Sequence, residues 1–438
     1  MSIATLTVPP RRNEARLDGL PVAVIGAGPV GLAAAAELLE RGLDVVVLEA
    51  GASAATSVRA WGHTRLFSPW EWITDPAAER LLTKTGWAAP DADILPTGHD
   101  LVEQYLAPLA ATPELSALIR YGHRVEAVSR QGMDRTRSTG RAATPFVLRL
   151  STGDELLARA VIDTSGTYDS PNGLIASGLK PRDADAVAPF LSHALPDVLG
   201  AERERFAGRH TLVVGAGHSA ANTLLRLADL ARDEPGTTIS WAIRSDSPVR
   251  VFGSDADELE GRAELGSGVH DLVRQGTIAL IDTFEIDDVA LAPGGAGVRV
   301  SGRRAGTPSI VDADIVVQAT GFRPDLDPLR EIRLSLDEIV EAPRLLAPLI
   351  DPNVHSCGTV EPHGIAELTH PEPAFYVAGM KSYGRAPTFL LRTGYEQVRS
   401  IAAELAGDHE AARRIELVLP ATGVCSTSDL GTGGSCCS

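Results

Sequence analysis

The sequence predicts an α/β fold in two doubly wound units with a flexible C-terminal tail, and three observations carry that reading. From Pro21, PVAVIGAGPVGLAAAAELLERGLDVVVLEAG parses as a buried strand, a glycine turn, an Ala/Leu-rich helix ended by Gly42 and a second strand. The same device returns from Thr211 in TLVVGAGHSAANTLLRLADLARDEPGTTISWAIRSD. Two later segments, VIDTSGTYDSPNG and IVVQATGFRPD, each end a strand in a small-residue turn, Thr164-Ser165-Gly166 and Ala319-Thr320-Gly321. Two Rossmann-like domains follow, the second inserted into the first. The expected boundaries are 20–175 and 310–420 for the two parts of the first domain, 176–309 for the insert and 421–438 for a Gly/Ser/Thr-rich tail. The first 20 residues lack apolar periodicity and read as a lead-in.

At 438 residues the chain has room for two or three domains and a sizeable core. Its 40 Lys+Arg stand against 57 Asp+Glu, a net charge of −17, which argues against a nucleic-acid partner. The start lacks the apolar stretch of a signal peptide and no run of about 18 apolar residues follows, so a cytoplasmic protein without membrane partners is expected. The four cysteines, Cys357, Cys425, Cys436 and Cys437, cluster toward the end, unlike a disulfide scaffold.

Each glycine of Gly26-Ala27-Gly28-Pro29-Val30-Gly31 has a mechanical reason. The first glycine permits the tight turn, the second lets backbone approach a pyrophosphate, and the third lets helix and strand pack. Glu49, at the end of the next strand, is placed to accept ribose hydroxyls. Gly215-Ala216-Gly217-His218-Ser219-Ala220 repeats the pattern with alanine in third position. Its second strand ends in Arg244 rather than an acid, and an arginine there can meet a ribose 2′-phosphate, favouring NADPH over NADH.

Two such fingerprints with ATGFRPD resemble the flavin-containing monooxygenase group of flavoproteins, over about Val22 to Gly407. More narrowly, GAGHSAANT, FSPWEW, GMKSYGRAPTFLL and the thiol-ending tail are similar to flavoproteins encoded beside bacterial arsenic-resistance genes. The resemblance implies FAD on Gly26, Gly28, Pro29, Gly31 and Glu49, with a backbone group at Val125 meeting the adenine. It implies NADPH on Gly215, Gly217, His218, Ser219 and Arg244, and a link between domains near the cofactors at Ala319, Thr320 and Gly321. Two departures matter. The group's F-x-G-x-x-x-H segment is degenerate, keeping Phe190 and His193 without the glycine. Ala378-Gly379-Met380 also lacks the aspartate that disulfide-reductase relatives place after Gly379 to hold the flavin's ribityl chain.

No cysteine pair of the kind a disulfide reductase sets beside its flavin occurs inside the fold. Cys357 reads as an inert thiol, and His355, His363 and His370 as surface-loop histidines whose spacing suits no compact metal site. The segment RAWGHTRLFSPWEW holds three of the chain's five tryptophans and is expected to cover the flavin, Trp61 and Arg65 nearest. Lys381, Tyr383 and Arg385 lie in a loop before a helix expected to begin near Pro387, and are candidates for flavin or substrate contacts. The reading is an NADPH-dependent flavin monooxygenase acting on a small soft nucleophile, an arsenical or thiol. The alternatives are a metalloid or disulfide reductase working through Cys425, Cys436 and Cys437, and a non-catalytic redox or nucleotide sensor.

Overall fold

The computed structural model describes residues 16–248, 260–351, 362–387 and 389–417. In chain order, β1 (Val22–Ile25), β2 (Val45–Leu48) and β3 (Ile119–Arg120) lead to β4 (Val125–Arg130), β5 (Phe146–Leu150), β6 (Glu155–Ala158) and β7 (Ala160–Asp163). The insert holds β8 (Leu191–Ser192), β9 (His210–Val214), β10 (Thr238–Ala242), β11 (Ile278–Ile281), β12 (Phe284–Leu291), β13 (Val298–Arg304), β14 (Thr307–Ala313) and β15 (Ile315–Gln318), after which β16 (Phe375–Val377) returns to the first domain. The helices that matter for the site are α1 (Pro29–Glu40), α2 (Pro76–Thr83), α3 (His218–Asp233), α4 (Glu260–Arg274) and α5 (Leu391–Leu405).

Among the described residues, two parallel five-stranded sheets run β16-β7-β1-β2-β3 and β11-β10-β9-β15-β8. Both are buried on both faces, which is why their strands read as continuous apolar runs such as VAVI and VVVL. The alternation of strand side chains sorts each sheet into two cores. Val22, Val24, Val45 and Val47 face α1, α2 and α5, whereas Ala23, Ile25, Val46 and Leu48 face the antiparallel sheet β4-β5-β6. In the second domain Val213, Ile239 and Trp241 pack on α3 and α4, and Leu212, Val214 and Ala242 on the antiparallel sheet β12-β13-β14. β15 pairs with β9 from Ile315 opposite Thr211 to Gln318 opposite Val214. The second domain therefore takes in residues up to Gln318, past position 309 where the sequence suggests its end.

Ala33 to Ala36 on α1 are wholly buried, and these short side chains let the helix lie close to the sheet. On the opposite face a buried charge cluster ties the small sheet to the strand that returns last. Arg130 Nε and Arg141 Nη2 each stand 2.8 Å from a carboxylate oxygen of Glu372, and the Arg130 guanidinium stacks 3.5 Å from the centre of the Phe146 ring. Burial raises the Glu372 carboxyl, but the two guanidiniums outweigh it and hold it below its ordinary value. No described helix is long and apolar enough to cross a membrane.

Candidate functional site

Five loops leave the carboxyl ends of the parallel strands: the glycine turns after β1 and β9, the small-residue turns after β7 and β15, and the 379–385 loop after β16. In open α/β sheets this edge is where ligands bind.

In the first turn, Gly26 has φ +97°, and a Cβ there would stand 3.1 Å from Thr164 O and Ser165 Cα. A Cβ on Gly31 would fall 2.0 Å from Gly26 O. Around Gly28 nothing lies within 4 Å of the Cβ position, so the backbone at the start of α1 is open to a ligand. α1 has Pro29 in its first turn and no side-chain cap, which leaves its first amides without an intrahelical partner. Glu49 closes the turn: its two oxygens accept the Ala27 N–H and the Gly51 N–H, each at 2.7 Å. The stretch leading to Val125 joins the same edge, with His123 N–H donating to Glu49 O at 2.8 Å.

The second turn has the same build. Gly215 has φ +131°, a Cβ on it would lie 2.0 Å from Ala319 O, and the Trp241 indole N–H donates to Gly215 O at 2.7 Å. Ala220, in the third-glycine position, is wholly buried. Gly217 again has nothing within 4 Å of its Cβ position, and α3 starts uncapped with His218 and Ser219 in its first turn. Arg244 is exposed just beyond β10. Two open glycine backbones, each at an uncapped helix N-terminus, fit two pyrophosphates.

The 379–385 loop differs from expectation. Residues Gly379–Tyr383 form a short 3-10 helix, Gly384 turns the chain at φ +57°, and α5 begins at Leu391 rather than near Pro387. Lys381 is not solvated: its Nζ stands 2.7 Å from Asp163 Oδ2 and 3.0 Å from Ser165 Oγ. Asp163 Oδ1 accepts the Ser165 N–H and hydroxyl, so this buried pair supports the turn that backs Gly26. Tyr383 is buried against Phe389, ring centres 5.0 Å apart, and burial pushes its phenol above the ordinary range. Only Arg385 is exposed, its Nη2 3.3 Å from Asn172 Oδ1. The Gly379 N–H donates to Gln397 Oε1 at 2.8 Å, and the Gln397 amide donates to Ser382 Oγ and His363 Nε2. His363 is thus a buried hydrogen-bonding partner and not a surface histidine, and His370 is half-buried with its Nδ1 accepting the Ser335 N–H. A Cβ on Gly379 would press on Val30, so this loop lies directly against the start of α1.

The aromatic segment spans the domains. Trp61, Trp70 and Trp72 pack on the first domain's core, Trp61 so closely on Gly98 that a Cβ there would meet the indole at 2.7 Å. Phe67 instead packs on the second domain's core and sets its ring edge-on to His218, centres 5.3 Å apart. Arg65 is exposed, its backbone bridged to Thr97. Phe67 lies in the segment expected to cover the flavin, whereas the sequence gives Asp163, Asn172 and Gln397 no site role. For Asp163 the available signal was the acid closing the strand in VIDTSG. Cys357, His355 and the tail thiols Cys425, Cys436 and Cys437 lie outside the described residues, and among those described no His/Cys/Asp/Glu group could hold a metal.

Residues 23–345 match the family described as pyridine nucleotide-disulphide oxidoreductase. The chain belongs to this family. Membership in this family supports the FAD and NADPH expected from the sequence. An indole-3-pyruvate monooxygenase of Oryza sativa subsp. indica is 31% identical over 277 residues, 61% of this chain and 56% of that protein, so the chain spans little more than half the length of this relative. The bacillithiol disulfide reductase of Bacillus cereus shares the fold at TM-score 0.65 and 18% identity over 89% of this chain and 99% of that one. A flavin-containing monooxygenase of Stenotrophomonas maltophilia does so at TM-score 0.57 and 22% identity, over 89% and 98%.

Proposed function

We propose that this family member is an NADPH-dependent monooxygenase that delivers one oxygen atom to a soft nucleophile, a thiol or a trivalent arsenical. The observation that carries the proposal is the pairing of two open glycine turns with a chain that has no cysteine before Cys357. Two nucleotides are held, yet no cysteine pair follows the first turn to accept electrons. When bound, FAD supplies hydride acceptance and oxygen activation, the chemistry the chain itself lacks.

The protein's share is binding and dryness. Gly28 and the α1 amides take the FAD pyrophosphate, Glu49 offers its remaining lone pairs to ribose hydroxyls, and Val125 lies on the adenine side. Gly217, Ser219 and Arg244 take NADPH, the guanidinium pairing with the 2′-phosphate. Trp61, Phe67 and their neighbours exclude water from the seam between the domains. One NADPH and one O2 are consumed per oxygen inserted, the second oxygen leaving as water.

The test is anaerobic stopped-flow mixing with NADPH, then admission of oxygen with a thiol or arsenite. Bleaching by NADPH, reoxidation by oxygen and one oxygenated product per NADPH are expected. Reduced flavin that is stable to oxygen but discharged by a disulfide would overturn the oxygenase assignment.

A further inference from the structure

The two chain segments that join the domains run side by side. Pro171 and Phe322 form an antiparallel bridge, and Arg323 N–H donates to Ser170 O at 3.0 Å. Asn172 sits in this crossing and uses every polar group it has. Its backbone N–H donates to Gly321 O at 2.9 Å, and its backbone oxygen accepts the Thr320 hydroxyl at 2.6 Å and the Gln318 amide. Its side-chain nitrogen donates to Thr320 O at 3.2 Å and Phe322 O at 3.4 Å, while Oδ1 accepts from Arg385 at 3.3 Å. This pattern fixes the amide's orientation, because only the oxygen can accept from a guanidinium and only the nitrogen can donate to two carbonyls.

Each partner belongs to a different part of the site. Gln318 ends β15, and Ala319 beside it abuts Gly215 of the second glycine turn. Arg385 closes the loop that lies against α1 and the first turn. Asn172 itself follows β7 and the turn backing Gly26. One side chain therefore ties the outgoing linker, the returning linker and the 379–385 loop at the point where the two cradles are set relative to each other.

We propose that Asn172 is a positioning residue that fixes the orientation of the second domain on the first, and thereby the rate at which hydride passes between the two held nucleotides. It touches neither open glycine turn, so its loss leaves both nucleotides bound while misaligning them, and small misalignments cost rate steeply. The hydride claim rests on the proposed reaction; the fixing of the linkers does not.

The test compares the full chain with Asn172→Ala and with Asn172→Asp, which keeps the volume and the acceptor for Arg385 but loses the two donated bonds. Expected in both are full FAD content, an unchanged NADP+ dissociation constant by calorimetry, and flavin bleaching at saturating NADPH slowed roughly tenfold or more. Amide hydrogen exchange over residues 166–172 and 319–323 should accelerate in the variants. Wild-type exchange in both linkers overturns the proposal, as does a loss confined to FAD content or NADP+ affinity with the saturated rate intact. A wild-type protein that NADPH does not bleach defeats the proposed function alone, and the exchange comparison still decides the role of Asn172.

Discussion

Lys381 Nζ stands 2.7 Å from Asp163 Oδ2, and both side chains are shut away from solvent, Asp163 at the end of β7 and Lys381 in the 3-10 helix that follows its neighbour β16. An ion pair so placed is costly to break on one side, because the remaining charge has no water to turn to. Lys381→Met should destabilise the protein by about 3–5 kcal/mol in urea unfolding. Adding Asp163→Asn to it should recover most of that loss. A double variant no more stable than Lys381→Met would show that the pair is not the cause.

The two small positions of the first turn should fail in different ways. Gly28→Val should leave a folded but colourless protein, because its side chain enters the open space the pyrophosphate needs. Gly31→Val should not fold, its Cβ driven into Gly26 O. Flavin absorbance per chain and circular dichroism separate the two results.

Arg244→Ala should raise the Michaelis constant for NADPH severalfold and leave that for NADH nearly unchanged, since only NADPH carries the 2′-phosphate. Equal changes for both cofactors would assign the exposed guanidinium another role.

Asp75 caps α2 by accepting the Ala78 N–H at 2.9 Å, and burial, reinforced by the nearby Glu37, pushes its carboxyl up to about 8. Between about pH 4 and 8 the folded state keeps a proton that the unfolded chain has released, so this contribution is complete at low pH and is lost as pH rises, at up to roughly 1.4 kcal/mol per pH unit. Asn in its place keeps the cap and does not titrate. Urea midpoints should show Asp75→Asn gaining on the wild type from pH 5 to pH 8. His370 acts in the other direction: burial lowers its imidazole to about 4, so its share of stability is lost as pH falls from about 6.5 toward 4.

The glycine turns were legible because their constraints are local. A tight turn, an open approach and a helix packed on a strand each demand a residue type at a fixed spacing, as at Gly26, Gly28 and Gly31. The 379–385 loop was legible only as a place. Lys381 reads from the sequence as a candidate for flavin or substrate contacts, because its partner, Asp163, is more than two hundred positions away in the chain. The helix start was misplaced for a related reason: Pro387 is a permitted first-turn residue, but the turn at Gly384 delays the helix to Leu391. Asn172 lies in VIDTSGTYDSPNG, but the sequence gives it no role, its importance arising from two linkers that meet only after the insert has folded.

The sheet order β16-β7-β1-β2-β3 also sets a timetable for biosynthesis. The ribosome releases the whole insert before β16 exists, so the second domain can close while the first still shows β7 as a raw edge with the Asp163 carboxylate at its tip. That edge is covered only when Phe375–Val377 emerge, and the charge is matched only when Lys381 follows. A nascent chain stalled between the two would present an unpaired strand in a half-built sheet, the point at which chaperone capture or misassembly of this protein should concentrate.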